Sequence, residues 1–159
     1  MSMNALAIDL FAATGRAGDR RLAGRALAHW DALRGLRELP SLEDYAPAFL
    51  PFAQSSTFVI EIRPREDQDE IVRAGEALTT ALGLDAVGRH PLEVLPSATH
   101  KGMSFYRTSA ELRKPIADVG EFVNSLGKPI QYRCILLPLS HDQTTVDHVL
   151  GAFSFRTGA

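Results

Sequence analysis

Strand patterns occur in two groups along this chain, and a block of helix signals separates them. Thr57 to Arg63 alternates: Phe58, Ile60 and Ile62 point one way, while Thr57, Glu61 and Arg63 point the other, with Val59 the exception. That is a half-buried strand. Pro64 ends it, and the charged run Arg65 to Glu70 reads as a turn. Glu70 to Ala74 is a short second strand that closes an antiparallel hairpin, with Gly75 at its exit. Glu76 to Leu82 is then a short helix, stopped by Gly83 in the C′ position. Leu84 to Val87 and Pro91 to Leu95 read as single helical turns, and Thr99 to Leu112 is helix-compatible up to Pro115. Strands return at Val119 to Ser125, Ile130 to Leu139 and Thr145 to Arg156. Leu126-Gly127-Lys128 and Ser140 to Thr144 form the turns between them. Runs of strands separated by a helical block predict an α+β fold, not an alternating α/β one.

The N-terminal third differs. Leu22, Ala26, Trp30 and Leu33 predict an amphipathic helix that Gly35 terminates. Pro40, Pro47 and Pro51 make the next stretch irregular, with one helical turn near Ser41 to Tyr45. Ser41 and Asp44 have the spacing of a capping box in which Asp replaces Glu. At 159 residues the chain fits one domain and needs no disulfide or metal to fold. A net charge of −2 supplies no positive field for nucleic acid. One cysteine permits no internal disulfide, which points to a reducing compartment. The apolar stretch Ala5 to Ala13 is broken by Asp9 and precedes the arginines, the wrong order for a secretory signal. It is also too short to span a bilayer. A cytoplasmic protein is expected, with no membrane partner.

Three segments carry a resemblance. The first holds Trp30, Arg34 and Leu39-Pro40-Ser41, then Asp44, Pro47 and Leu50-Pro51. The second holds Gly75, Leu78 and Leu82-Gly83, followed by Asp85, Gly88 and Arg89. The third holds Leu136-Leu137-Pro138-Leu139-Ser140, Asp142, Val146-Asp147 and Leu150-Gly151. With the element order, they make the chain similar to a PAS domain, and in detail to a bacterial PAS-like family that carries its own N-terminal helix. The resemblance implies a five-stranded antiparallel sheet with short helices between strands 2 and 3. It divides the chain into an N-terminal helical extension, residues 1–54, and a PAS-like core, residues 55–159.

The resemblance also implies a small apolar cavity between the inner face of the sheet and the short helices. Its expected walls are Phe58, Ile60, Leu78, Leu82, Met103, Phe105 and Tyr106, completed by Phe122, Cys134, Leu136 and Phe153. Tyr106, Arg107, Tyr132 and Arg133 are the polar groups expected to orient a ligand. The competing expectation is that the apolar side chains simply fill the core. PAS domains often dimerise through an N-terminal helix, so Leu22, Ala26, Trp30 and Leu33 face either a second subunit or their own sheet. A homodimer and a signalling-protein partner are expected.

Catalytic motifs are lacking. Ser97, Ser104, Ser109 and Ser140 sit in no nucleophile motif, and there is no G-x-G-x-x-G or Walker pattern. His29, His90, His100, His141 and His148 form no helical metal pair, and His141 and His148 read as surface residues beside a turn. His100 lies where haem-binding PAS domains place a ligand, but a solvent-facing histidine near Pro96 explains it as well, and the sequence identifies no cofactor. The cysteine motif of flavin-binding light sensors is absent. Cys134 falls on a predicted strand, where a buried, inert thiol is expected. The chain reads as a non-enzymatic sensory or regulatory module for a small apolar or amphipathic ligand, a protein partner, or both. The alternative is a dimerising scaffold with a filled core. No kinase, cyclase or DNA-binding region is recognisable, so the output is expected to pass to a separate protein.

Overall fold

The computed structural model describes residues 17–45, 51–96 and 105–158. Three helices come first: α1 (Ala17–Arg34), α2 (Leu42–Tyr45) and α3 (Pro51–Ser56). The hairpin of β1 (Thr57–Glu61) and β2 (Glu70–Ala74) follows, with a 3-10 turn between its strands. Helices α4 (Glu76–Leu82), α5 (Pro91–Val94) and α6 (Tyr106–Leu112) lead to β3 (Ile116–Val123), β4 (Pro129–Leu139) and β5 (His148–Thr157). The strands form one five-stranded sheet in the order β2-β1-β5-β4-β3, and every neighbouring pair is antiparallel.

Sequence spacing puts each strand's side chains alternately on two faces, and each face has its own apolar layer. The inner layer takes Phe58, Ile60, Ile71, Tyr132, Cys134, Leu136 and Phe153 from the sheet and Leu78, Ala81, Leu82 and Tyr106 from α4 and α6. The outer layer takes Val59, Ile135, Leu137, Leu139, Leu150 and Ala152 from the sheet and Ala23, Leu27 and Trp30 from α1. Both layers draw on β4 and β5, which explains the nearly continuous burial of Cys134 to Leu139.

Tight turns follow the sequence closely. Gly83 ends α4 with φ +75°, and its N–H donates to the Thr79 carbonyl. Gly35, after α1, has φ +58°. A Cβ on Gly75 would strike the carbonyl oxygens of Gln54 and Ser55, so no other residue fits this strand-to-helix corner. The Asp44 carboxylate accepts the Ser41 N–H at 2.9 Å, which is the reciprocal half of the capping box. Asp142 Oδ1 accepts the N–H groups of Thr144 and Thr145 and so builds the β4–β5 connection. That turn delays β5 to His148. Strand β3 starts at Ile116, three residues before the predicted Val119. The helix predicted over Thr99 to Leu112 is seen as α6, and its first part lies outside the described residues, as do Met103 and His100.

Helix α1 lies on the outer face of its own sheet. Trp30 is 3% exposed, and its indole N–H donates to the Pro138 carbonyl at 2.9 Å. Ala23 and Leu27 are buried beside it, Ala26 and Leu33 flank them half-buried, and Leu22 is also half-buried. The buried stripe is therefore Ala23, Leu27 and Trp30; of the predicted stripe, Trp30 lies in it, and Leu22, Ala26 and Leu33 lie half-buried.

Candidate ligand-sensing layer

The inner layer is built from both sides. Strands β1, β4 and β5 present Phe58, Ile60, Tyr132, Cys134, Leu136 and Phe153, each no more than 4% exposed. Opposite them lie Leu78, Leu82 and Tyr106, also no more than 4% exposed. Phe105 and Phe122 pack against this group and are partly buried. Every predicted wall residue within the described segments thus belongs to one cluster. The Phe58 ring lies over Gly151, where a Cβ would collide with it. Tyr132 stacks on Phe153 with ring centroids 5.8 Å apart, and Phe122 meets Tyr132 edge-on at 5.9 Å.

Two polar groups border the layer. The first centres on Asp69, whose side chain is fully buried. Arg107 donates to it from Nε to Oδ2 at 2.7 Å and from one terminal nitrogen to Oδ1 at 2.8 Å. The Tyr106 hydroxyl donates to Oδ2 at 2.5 Å, and the Arg63 backbone N–H donates to Oδ1 at 2.9 Å. Arg107 also reaches the Arg63 carbonyl at 2.9 Å. Burial pushes the Asp69 carboxyl up, but its hydrogen bonds from Arg107, Arg63 and Tyr106 outweigh burial and hold it below the usual range. Burial and the bond to Asp69 push the Tyr106 phenol up. The group pins the start of α6 to the β1–β2 hairpin.

The second group centres on Asp118, 8% exposed, on the inner face of β3. The Tyr132 hydroxyl donates to its Oδ2 at 2.6 Å. Burial and this bond push the Tyr132 phenol up. A Cβ on Gly120 would lie 2.9 Å from the Tyr132 oxygen, so glycine makes room for the ring. Cys134 is opposite Asp118 in the ladder and fully buried; burial and the Asp118 charge push its thiol well up. Such a thiol is a poor nucleophile.

Of the four predicted ligand-orienting groups, Tyr106, Arg107 and Tyr132 border the inner layer. Arg133 pairs with Val119 and Ser154 in the ladder and, like them, lies on the outer face. Asp69 and Asp118 went unpredicted. Asp69 sits in a charged run that reads as a solvated turn, and its partners lie 37 and 38 residues away. Asp118 falls just before the predicted strand, and its inward carboxylate is accommodated by a partner, Tyr132, that lies 14 residues away. The histidines are dispersed: His90 caps α5 by accepting the Leu92 N–H, His148 contacts Asp147 at 2.7 Å, and His141 lies 3.4 Å from Glu43. Among the described residues no group of three or more His, Cys, Asp or Glu is arranged to hold a metal ion. No helix among them is long and apolar enough to cross a membrane.

Sheet order, inserted helices and the two-faced core define a sensory-domain fold of the PAS type. A family model described as a PAS domain matches residues 20–154, and the chain belongs to that family. A light-oxygen-voltage domain studied with a flavin analogue superposes with a TM-score of 0.52 at 18% identity, over 68% of this chain and 80% of that one. The light-oxygen-voltage domain of a blue-light-activated histidine kinase from Erythrobacter litoralis gives 0.51 at 14% identity, over 69% and 99%. The light state of the Aureochrome1 domain gives 0.52 at 13%, over 68% and 84%. At these identities the likeness is one of fold. No curated protein matches the chain.

Proposed function

We propose that the chain is a sensory or regulatory domain of a bacterial signalling system. In this reading a small apolar or amphipathic molecule enters the inner layer, between the sheet and helices α4 to α6. The observation that carries the reading is the make-up of that layer. Apolar side chains converge from sheet and helices, and buried polar groups at Asp69 and Asp118 border it, the mix that small-molecule sites use. The Asp69 group gives the site a means of response. A ligand that competes for Tyr106 or Arg107 breaks the bonds that fix α6, and a signalling-protein partner reads the shift. The role is non-catalytic, which the deeply buried thiol of Cys134 supports, and cytoplasmic, and involves neither nucleic acid nor membrane.

Native mass spectrometry of freshly purified protein, before and after denaturation, tests the reading. A mass excess that vanishes on denaturation is expected. Its absence, with a melting temperature that no small molecule in a metabolite screen shifts, rejects ligand sensing. One observation favours a second reading, a protein-interaction scaffold: Tyr106, Arg107 and Tyr132 already have internal partners, as a filled core requires. A scaffold shows no excess and no ligand-dependent melting, yet binds its partner.

A further inference from the structure

The two edges of the sheet are finished differently. On β2, a short strand, the Ile71 N–H donates to the Arg89 carbonyl at 2.9 Å, and the Gly88 N–H donates to the Ile71 carbonyl at 2.8 Å. A register shift against β1 also bends that edge. Both are ordinary protections of a sheet margin. Strand β3 has eight residues and regular register against β4, and no described strand pairs with its other side.

Hydrogen-bond direction follows from one proline. Pro129 faces Val123 in the ladder, has no N–H, and gives its carbonyl to the Gly158 N–H at 2.7 Å, on the β5 side. Val123 and Pro129 are therefore a non-bonded pair. The residues that bond β4 are Ile116, Asp118, Gly120 and Phe122, because bonded and non-bonded pairs alternate. Ala117, Val119, Glu121 and Val123 then aim both N–H and C=O away from the sheet. Only one of these four is charged, and Val123 is 68% exposed.

We infer that β3 pairs antiparallel with β3 of a second copy of this chain, joining two sheets across a two-fold axis at Gly120. The strand is complementary to itself in this register alone. Ala117 meets the partner's Val123 and Val119 meets the partner's Glu121, so all four outward residues are paired. Gly120 lies on the axis at a non-bonded position, where Cα atoms approach to about 4.5 Å and a side chain would crowd. Asp118 faces the partner's Phe122, which keeps the carboxylates apart. Shifting the axis to Glu121 sets two glutamates face to face. Shifting it to Val119 places Pro115, which has no N–H to give, opposite Val123. Of the helix stripe expected to dimerise, Trp30 is buried against its own sheet and Ala26 and Leu33 pack half-buried beside it, so that stripe is in large part already used within one chain.

Glu121→Pro removes one outward N–H and no bond to β4, a position where an edge strand accepts proline. Sedimentation equilibrium of the full chain should show a dimer that Glu121→Pro weakens at least about tenfold, with an unchanged circular dichroism spectrum. A nitroxide at Val123→Cys gives a reading in a chain that keeps Glu121. The two labels should lie about 20 Å apart, the length of six residues of strand. A chain that stays monomeric at millimolar concentration overturns the inference. So does a dimer indifferent to Glu121→Pro, a label distance far beyond that span, or an edge that takes up only foreign extended peptides.

Discussion

A carboxylate with no exposed side-chain surface survives in this core because every bond it needs is supplied. Asp69 receives two bonds from Arg107, one from Tyr106 and one from the Arg63 backbone. Asp69→Asn keeps the shape but leaves the partly buried Arg107 guanidinium without its counter-charge. The expected cost is about 3 kcal/mol, read in urea denaturation, with α6 amides losing hydrogen-exchange protection first. A loss spread evenly over the sheet would show that the group does not pin α6. Asp142 works differently, from an exposed turn. Bonds from the N–H groups of Thr145 and Thr144 hold its carboxyl at about 2, against an ordinary 3.8. A depressed folded value means that the carboxylate's stabilisation is complete above 3.8 and is lost as pH falls through about 2. The stability gap between the native chain and Asp142→Ala should therefore be constant above that window and shrink within it. A gap that stays constant to the acid limit would assign the effect to shape alone. Asp142 was legible as a turn residue because an Asx turn is local in sequence. Asp69 was not, because its partners are distant.

Among the elements, the helices and hairpins that obey local rules were legible, while those set by distant partners were not. Helix α4 matches its predicted span, since Gly75 and Gly83 impose both ends. Strand β3 was read three residues late because Asp118 looks like loop until Tyr132 is placed beside it. Helix α1 was found with Trp30 in its apolar stripe, but Ala23 and Leu27 are buried more deeply beside it than the predicted Ala26 and Leu33, which pack at the edge. Alanines and leucines supply two adjoining apolar stripes, and only the bulk of Trp30 and its bond to Pro138 select one. This makes Trp30 the anchor of the element. Trp30→Phe should cost about 1 kcal/mol for the lost bond, and Trp30→Ala about 3 to 5 kcal/mol. In Trp30→Ala, hydrogen exchange should accelerate in α1 well before it does in β4 or β5. Equal acceleration everywhere would mean that helix and sheet form one cooperative unit.

Across the whole molecule, the inner and outer layers share β4 and β5 as a common wall, and one side chain also ties them together at the rim. Arg113 follows α6 in left-handed conformation, φ +58°. It pairs with Glu38 at 2.7 Å, beyond α1, and donates to the carbonyls of Gln143 at 2.8 Å and Thr144 at 2.8 Å, in the β4–β5 loop. Gln143 is the other non-glycine described residue with positive φ, and its side-chain amide donates to the Leu39 carbonyl at 2.9 Å. Three segments thus meet where two residues hold an unfavourable backbone, which native contacts must over-determine. Two substitutions separate contact from strain. Arg113→Ala loses the contacts and keeps the strain, while Arg113→Gly loses both. Arg113→Gly should therefore be the more stable variant by about 1 kcal/mol. Both should speed hydrogen exchange over residues 37–41 and 142–145 alike, since the same contacts are gone. If the glycine variant is the less stable, the left-handed turn is not held by its side chain. If exchange changes only in the β4–β5 loop, movement of α6 has no route to α1 through this clasp, and the shared strands must carry it alone.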